Sequence, residues 1–224
     1  PDGTVIEPLT ETDLELLRRQ IIALRPEAVA INLLYSYVDD SNERRIEAAI
    51  DDLAFVSRSS VVLPRYKEYE RGIATWLNAW LGPVVERYLT RLVRVVAPSP
   101  VVVMQSSGGT ISAAAASRSA VNLLLSGPAG GLAAARHIGA AIGHPDLLTF
   151  DMGGTSTDVA LIGAQPRLTD EASIGPFPVA VPMADIHTIG AGGGSIAFID
   201  PAGALHVGPR SAGANPGPAC YGLG

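Results

Sequence analysis

Two aspartates, Asp151 and Asp158, bracket a run of small and hydroxyl-bearing residues: Gly153, Gly154, Thr155, Ser156 and Thr157. Glycines lack a Cβ, so the backbone can approach a ligand closely and adopt positive φ. Successive N–H groups in such a turn form a nest for an anion, and the three hydroxyls add donors. Mg²⁺ favours one or two carboxylates completed by phosphate oxygens and water. The segment therefore combines phosphate-cradling and metal-capable groups within one short turn. A Gly-Gly turn between apolar runs is also the ordinary signal of a β-hairpin. A plain hairpin, however, needs neither an acid at each end nor hydroxyls between them.

Other groups capable of chemistry lie downstream. Asp185 and His187 are two residues apart on an extended stretch, a spacing that places both side chains on one face. The pair suits proton transfer or metal ligation, or is a histidine hydrogen-bonded to a neighbouring carboxylate. Gly190 to Ser195 reads G-A-G-G-G-S. A dinucleotide fingerprint needs strand, turn and helix, whereas Ile196 to Ile199 reads as a strand. Gly192, Gly193 and Gly194 are thus expected to cap a hairpin and to lie against nucleotide or substrate. The Gly/Pro/Ala-rich tail from Gly208 to Gly222 carries Arg210 and Ser211, which suit an anionic group or a solvated surface. Gln105 to Thr110 (Q-S-S-G-G-T) forms a turn after a strand, where ligands of α/β sheets gather. His137 and His144 read as structural or solvent-facing.

The elements that must hold these groups follow from periodicity. Leu147 to Asp151 and Asp158 to Ile162 read as the two apolar strands around the turn. Ser126 is a fair N-cap and Pro128 suits the first turn of a helix running to about Gly143; its N-terminus is suited to an anion. Upstream, Thr10 and Asp13 resemble a capping box before Leu14, Leu17, Ile21 and Leu24 at helical spacing. Val29 to Tyr35 reads as a buried strand, Asn42 to Leu53 as a helix and Phe55 to Leu63 as a strand. This alternation indicates an α/β layer structure. Tyr66 to Ala97 is expected to be helical, interrupted at Gly82-Pro83, with Trp76 and Trp80 in the core and Glu70 and Arg71 on a solvated face. Val101 to Gln105 reads as a buried strand, and proline-flanked Phe177 to Val181 as an edge or end strand.

The chain has 224 residues, 47% hydrophobic and 17% charged, with a formal net charge of −6. That composition argues against disorder and, with no run of Lys or Arg, against a nucleic-acid partner. The longest small-apolar stretch, Ala120 to Gly143, is broken by polar residues and glycines, so no membrane span is expected. The single cysteine, Cys220, cannot form an internal disulfide, which favours a reducing, cytoplasmic setting. The start at Pro1 has no basic, apolar leader, and both ends look like those of an excised fragment. The expected organisation is an α/β segment with a helical hairpin over residues 1–100 and a phosphate-binding half over residues 101–224.

The motif D-M-G-G-T-S-T-D-V from Asp151 resembles the second phosphate-binding hairpin of the hydantoinase A / 5-oxoprolinase family, which lies within the actin, heat-shock-chaperone and sugar-kinase ATPase superfamily. M-Q-S-S-G-G at Met104, S-G-P-A-G-G at Ser126, D-I-H-T-I-G-A-G-G-G-S at Asp185 and the tail from Gly208 are similar to family motifs in the family's order. The resemblance implies an actin-like (ribonuclease H-like) α/β fold, here incomplete, with mixed sheets and packed helices. It implies ATP and Mg²⁺ as cofactors, a small cyclic amide as substrate, and phosphorylation of its carbonyl oxygen before ring opening. Asp151 and Asp158 would hold Mg²⁺, directly or through water, or position the attacking oxygen. Gly153, Gly154, Thr155, Ser156 and Thr157 would bind the β- and γ-phosphates, and Asp185 and His187 would face the substrate. A hydantoinase B-type catalytic subunit is the implied partner, and a homo-oligomer is allowed. The superfamily's first hairpin, a V-D-x-G-G-T-like turn, has no copy before Asp151, so the piece alone is expected to lack turnover. A ketone carboxylase subunit, a small-molecule kinase and a non-enzymatic ATPase-fold module are the competing readings.

Overall fold

The computed structural model describes residues 5–163, 167–174 and 176–223; the expectations about the extreme ends of the chain fall on Pro1–Thr4 and Gly224, outside those residues. Helices and strands alternate through the first half: α1 (Glu11–Leu24), β1 (Ala28–Ile31), α2 (Ser41–Ile50), β2 (Phe55–Arg58), α3 (Ser59–Val62) and α4 (Glu68–Val96). Then come β3 (Val102–Met104), β4 (Thr110–Ser112), α5 (Ala113–Arg118), a 3₁₀ turn at Ala120–Leu123 and α6 (Ser126–Ala141). The remainder is mostly strand: β5 (Leu147–Met152), β6 (Thr157–Ile162), β7 (Leu168–Thr169), β8 (Ala172–Ile174), β9 (Phe177–Val179), β10 (Met183–Ala184), β11 (His187–Ile189), β12 (Ser195–Ile199) and β13 (Leu205–Ser211), with a last 3₁₀ turn at Ala219–Tyr221. The architecture is mixed α/β, built from small sheets and packed helices.

The chain divides into two compact units, residues 1–126 with 170–183, and residues 127–169 with 184–224. The sequence division at residue 100 falls inside the first unit, because α4 packs on β1 and β2 and equally on α5 and the 3₁₀ turn after it.

In the first unit, β1 and β2 pair in parallel, Ala28 opposite Phe55 through Ile31 opposite Arg58, with α2 as the crossover. The capping box forms as expected: Asp13 N–H donates to Thr10 Oγ1 at 3.2 Å and Thr10 N–H to Asp13 Oδ2 at 2.9 Å. Both strands are shorter than their apolar runs, and buried polar groups explain why. Beyond Ser57 the chain turns into α3, where Ser59 Oγ (2.6 Å) and Ser60 N–H (3.0 Å) donate to the buried carboxylate of Glu43. Leu33 N–H donates to the same carboxylate at 3.0 Å, which pulls the chain after β1 out of the sheet.

Arg71 departs most from its expected solvated position. Its side chain is wholly buried. It donates to Asn32 Oδ1 at 3.2 Å, to the carbonyls of Leu33 at 2.7 Å and Arg65 at 3.2 Å, and to Glu68 Oε2 at 2.6 Å. The guanidinium also lies 5.3 Å from the centre of the Tyr37 ring. Arg71 is thus the bolt between α4 and the segment after β1. The core beside it gathers Leu63, Ala74, Leu77, Val121, Val179, Val181 and Met183.

Gly82-Pro83 does not interrupt α4, which runs unbroken from Glu68 to Val96. Proline costs a helical hydrogen bond, but tertiary packing holds the helix: a Cβ on Gly82 would meet the Phe55 ring at 2.3 Å, so β2 lies directly on this turn. Nor are the two tryptophans core residues. Trp76 is 43% and Trp80 66% exposed, because the α4 face that packs inward carries Ala74, Leu77 and Asn78 instead. The segment Gln105–Thr110 is the tip of the β3–β4 hairpin, and Ser106 is buried there, its hydroxyl donating to the Asn122 carbonyl at 2.7 Å. β9 stops at Val179 and, among the described residues, pairs only with β8, in keeping with an edge strand.

Replacing Arg71 by Ala removes the donor shared by Asn32, Leu33, Arg65 and Glu68 and empties the buried volume that its side chain fills. Urea unfolding of the full-length parent is expected to show a loss of about 3 kcal/mol. Burial pushes the Glu43 carboxyl up, but the donors on Ser59, Leu33 and Ser60 outweigh it and hold the group below the usual carboxylate range. A folded-state pKa below the unfolded value stabilises above the unfolded pKa, and that stability is lost as pH falls through the folded one. The unfolding midpoint should therefore drop between roughly pH 6 and pH 3, and Glu43→Gln should flatten that part of the profile.

Candidate functional site

The second unit places the turn 153–156 at the tip of the β5–β6 hairpin. β5 and β6 pair antiparallel, with Asp151 directly opposite Asp158 and Met152 opposite Thr157. Cross-strand partners share a face, so the two carboxylates stand side by side. β11 adds on the other side of β6, with Thr188 opposite Asp158 and His187 opposite Val159. Thr188 Oγ1 donates to Asp158 Oδ1 at 2.7 Å and orients that carboxylate. Thr188, between His187 and Ile189 on β11, carries no local signal that reveals its partner thirty residues upstream.

The strand period decides where His187 goes. It sits next to Thr188 and therefore projects from the opposite face of the sheet to Asp151 and Asp158. Asp185 precedes β11, and its N–H donates to the Arg167 carbonyl at 3.0 Å. Both side chains are exposed, and among the described residues no hydrogen bond or ion pair joins them. The His–Asp pair that does form is His206 with Asp200, Nε2 to Oδ2 at 2.7 Å, with the ring stacked on Phe198 at 5.1 Å. His206 first, and then the Ala204 N–H, hold the Asp200 carboxyl below the usual range. This pair lies at the far end of the β12–β13 hairpin, where Asp200 also accepts from the N–H groups of Ala202 and Ala204 at 2.9 Å. It closes that turn.

The three glycine-rich segments, far apart in sequence, stack on one another. Gly193 N–H donates to the Gly153 carbonyl at 2.9 Å and Gly194 N–H to the Gly154 carbonyl at 2.7 Å. Ala212 N–H donates in turn to the Gly194 carbonyl at 2.8 Å. Thr157 Oγ1 donates to the Ala191 carbonyl at 2.6 Å, and Gly192 N–H to Ser195 Oγ at 2.8 Å. At Gly192, Gly194 and Gly208 a side chain has no room in this stack. A Cβ on Gly192 would lie 2.6 Å from the Gly153 oxygen, and one on Gly208, whose φ is +69°, would lie 2.1 Å from the Gly190 oxygen.

This arrangement sorts the site residues by what their donors are already doing. Thr157 is buried and its one hydroxyl proton is committed to Ala191. The amides of Gly193 and Gly194 are committed to the hairpin turn, so these glycines, with Gly192, buttress the turn from behind. What stays open is the tip. The N–H groups of Gly154, Thr155 and Ser156 have no partner among the described residues, and Gly154 and Thr155 are exposed. Their chemistry, successive amides and two hydroxyls at a glycine turn, fits a phosphate ester.

Asp151 and Asp158 line a recess of about 300 Å³ between the sheet and α6, together with Thr149, Pro128, Gly131 and Leu132. α6 begins at Ser126 itself, one residue earlier than an N-cap there would place it. It packs closely at Gly139, where a Cβ would meet the Leu147 side chain at 2.7 Å. Among the described residues there is no cluster of three or more His, Cys, Asp and Glu side chains that could hold a metal unaided. Two adjacent carboxylates suit a cation that takes its other ligands from phosphate and water.

Contrasting glycines test the stack. Gly192→Ala and Gly208→Ala are expected to cost about 1–3 kcal/mol in unfolding free energy through overpacking. Gly154→Ala, with no atom within 4 Å of the added Cβ, should leave stability within roughly 1 kcal/mol. Chemical denaturation of the parent protein distinguishes the two classes.

Comparison with known proteins identifies the family of the chain. The hydantoinase/oxoprolinase family model matches residues 71–224. The chain is 38% identical to caprolactamase subunit alpha of Pseudomonas jessenii, over 100% of its own length and 33% of that subunit. It is 36% identical to 5-oxoprolinase PfmaA of Pestalotiopsis fici over 99% of its length, but only 18% of that larger protein. The crystal structure of the ATP-dependent caprolactamase from Pseudomonas jessenii superposes with a TM-score of 0.85 at 36% identity, covering 100% of this chain and 33% of that one. Nucleotide-free acetone carboxylase superposes at 0.72 with 30% identity, covering 94% and 31%. The chain thus spans about a third of the caprolactamase subunit and less than a fifth of the 5-oxoprolinase. With its motifs, its fold and two thirds of its length in agreement, the chain belongs to the hydantoinase/oxoprolinase family.

Proposed function

We propose that this chain is the part of an ATP-dependent cyclic amide hydrolase that carries one of its phosphate-binding turns. The observation that carries the reading is the open tip of the β5–β6 hairpin, with unpartnered amides at Gly154, Thr155 and Ser156 beside two facing carboxylates. Like charges directly opposite one another in a sheet are destabilising. Asp151 and Asp158 therefore favour a cation at the same place where the amides favour an anion, as in a metal–phosphate complex. The caprolactamase and 5-oxoprolinase likenesses point to a ring amide as substrate.

In this reading Gly153, Gly154, Thr155 and Ser156 cradle the terminal phosphates of ATP. Thr157 and Gly192 to Gly194 act one layer behind, by fixing the shape of the turn. Asp151 and Asp158 hold Mg²⁺, directly or through water, and Thr188 keeps Asp158 aimed. Bound there, Mg-ATP would supply the phosphoryl group that converts an unreactive amide carbonyl into one with a good leaving group. Catalysis of such a transfer is mainly positioning and charge neutralisation, the two functions this rigid turn is built for. Asp185 and His187, both exposed, are available to the substrate side. The subunit designation of the caprolactamase relative favours a partner subunit of the hydantoinase B type. Among the described residues no helix is long and apolar enough to cross a membrane, and the lone, exposed Cys220 accords with a cytoplasmic setting.

A ketone carboxylase is the second reading, favoured by the acetone carboxylase superposition. Phosphate release from Mg-ATP by the full-length parent, with its partner subunit, separates the two. Release that depends on a lactam, hydantoin or 5-oxoproline, with ring-opened product, supports the amide reading; dependence on a ketone and bicarbonate supports the carboxylase. Asp151→Asn and Asp158→Asn are each expected to lower the rate roughly 100-fold or more. A phosphorylated product that is released intact, or turnover indifferent to every substrate, would refute both.

A further inference from the structure

Along α4 one face is apolar, aromatic and uncovered. Tyr69 is 65%, Trp76 43%, Trp80 66%, Val84 58% and Tyr88 64% exposed. Trp76 and Trp80 stack with ring centres 5.9 Å apart and planes 9° from parallel, and Phe177 braces Trp76 at 5.2 Å. The ladder is rigid before anything binds, so little side-chain freedom is left to lose. Stacked Trp and Tyr with free polar tips are the composition of protein interfaces rather than of interiors.

The order of these residues is nearly a palindrome. Tyr69 and Tyr88 lie equally far from a point between residues 78 and 79, and Trp76 and Trp80 straddle it. Glu70 and Arg87 are related by the same point and carry opposite charges. The C-terminal half of α4 exposes Arg87, Arg91 and Arg94 beside Glu86, while its first turn carries Glu70 and Glu68, the latter paired with Arg71. Among the described residues Glu70, Arg87, Arg91 and Arg94 take part in no ion pair.

We infer that a second copy of this chain covers the face, its α4 packed antiparallel across the first about a two-fold axis near residues 78 and 79. A two-fold contact requires one self-complementary patch, and the stripe is one. Tyr69 meets Tyr88 of the other copy, the four tryptophans and Val84 fill the centre, and Glu70 pairs with Arg87 at both ends. Antiparallel helix dipoles add to the charge match. The stripe presents on the order of 600 Å² of mainly aromatic surface, most of the ~800 Å² per partner of a standard stable interface.

A crosslink tests the geometry in the full-length parent. Tyr69 and Tyr88 lie about 28 Å apart along one helix, so a disulfide between Tyr69→Cys and Tyr88→Cys can only join two chains. With Cys220→Ser as background, mild oxidation of the double variant should give a covalent dimer with the 69–88 linkage found by peptide mapping, and neither single variant should. Folding of the variants is checked by thermal unfolding. Independently, Glu70→Arg or Arg87→Glu alone should weaken self-association roughly tenfold or more, measured by sedimentation, and the two together should restore it. A parent that sediments as a monomer, with Trp76 and Trp80 shielded from hydroxyl-radical oxidation, would mean that its own remaining chain covers the face and would overturn the inference. So would shielding that appears only when a different subunit binds, or a folded double variant without the 69–88 linkage.

Discussion

Two backbone hydrogen bonds, from Gly193 and Gly194 to the carbonyls of Gly153 and Gly154, carry the candidate site. They hold those carbonyls against the glycine-rich segment, while the amides of Gly154, Thr155 and Ser156 keep no partner among the described residues. The same contact forbids side chains at Gly192 and Gly194, and the next layer forbids one at Gly208. Glycine is thus required twice over: at the tip so that a ligand can come close, and behind it so that two backbones can. Because the buttressing is backbone to backbone, the turn holds its shape without using the hydroxyls of Thr155 and Ser156.

The first unit solves a different problem with buried charge. A two-stranded parallel sheet has little hydrogen bonding of its own, and the segments leaving β1 and β2 carry many polar backbone groups. Arg71 and Glu43 satisfy these groups from opposite directions, one with donors and one with acceptors. Glu43 is bound by hydrogen bonds to chain segments, and Arg71 by such bonds together with its ion pair to Glu68, which makes the connections specific as well as stable. Asn78 does the same for the next layer, donating to Ser57 and Arg118 at 3.0 Å and accepting from Val121 at 3.2 Å.

What the sequence reveals and what it conceals divide along physical lines. Local hydrogen bonding at fixed spacing is legible, as with Thr10 and Asp13. So is the facing pair Asp151 and Asp158, since a hairpin with a tight turn dictates which residues oppose one another. Periodicity shows which residues share a face but not which way the face looks: Trp76 and Trp80 stand together on α4 as their spacing requires, yet outward. Arg71 is buried because Asn32 and Leu33, nearly forty residues away, return to meet it, and no local pattern records that. Asp185 and His187 had the spacing of a pair, but pairing to β6 settles only His187, while Asp185 stays outside the strand. The roles of Gly192 to Gly194 were legible as glycine requirements; that the close neighbour is the hairpin turn itself was not.

The most direct test of the central claim is a crystal structure of the full-length parent with Mg²⁺ and a non-hydrolysable ATP analogue. The account predicts phosphate oxygens within hydrogen-bonding distance of the amides of Gly154, Thr155 and Ser156, metal density beside Asp151 and Asp158, and the Gly193 and Gly194 contacts unchanged. Phosphates bound elsewhere, with this turn left bare, would contradict it.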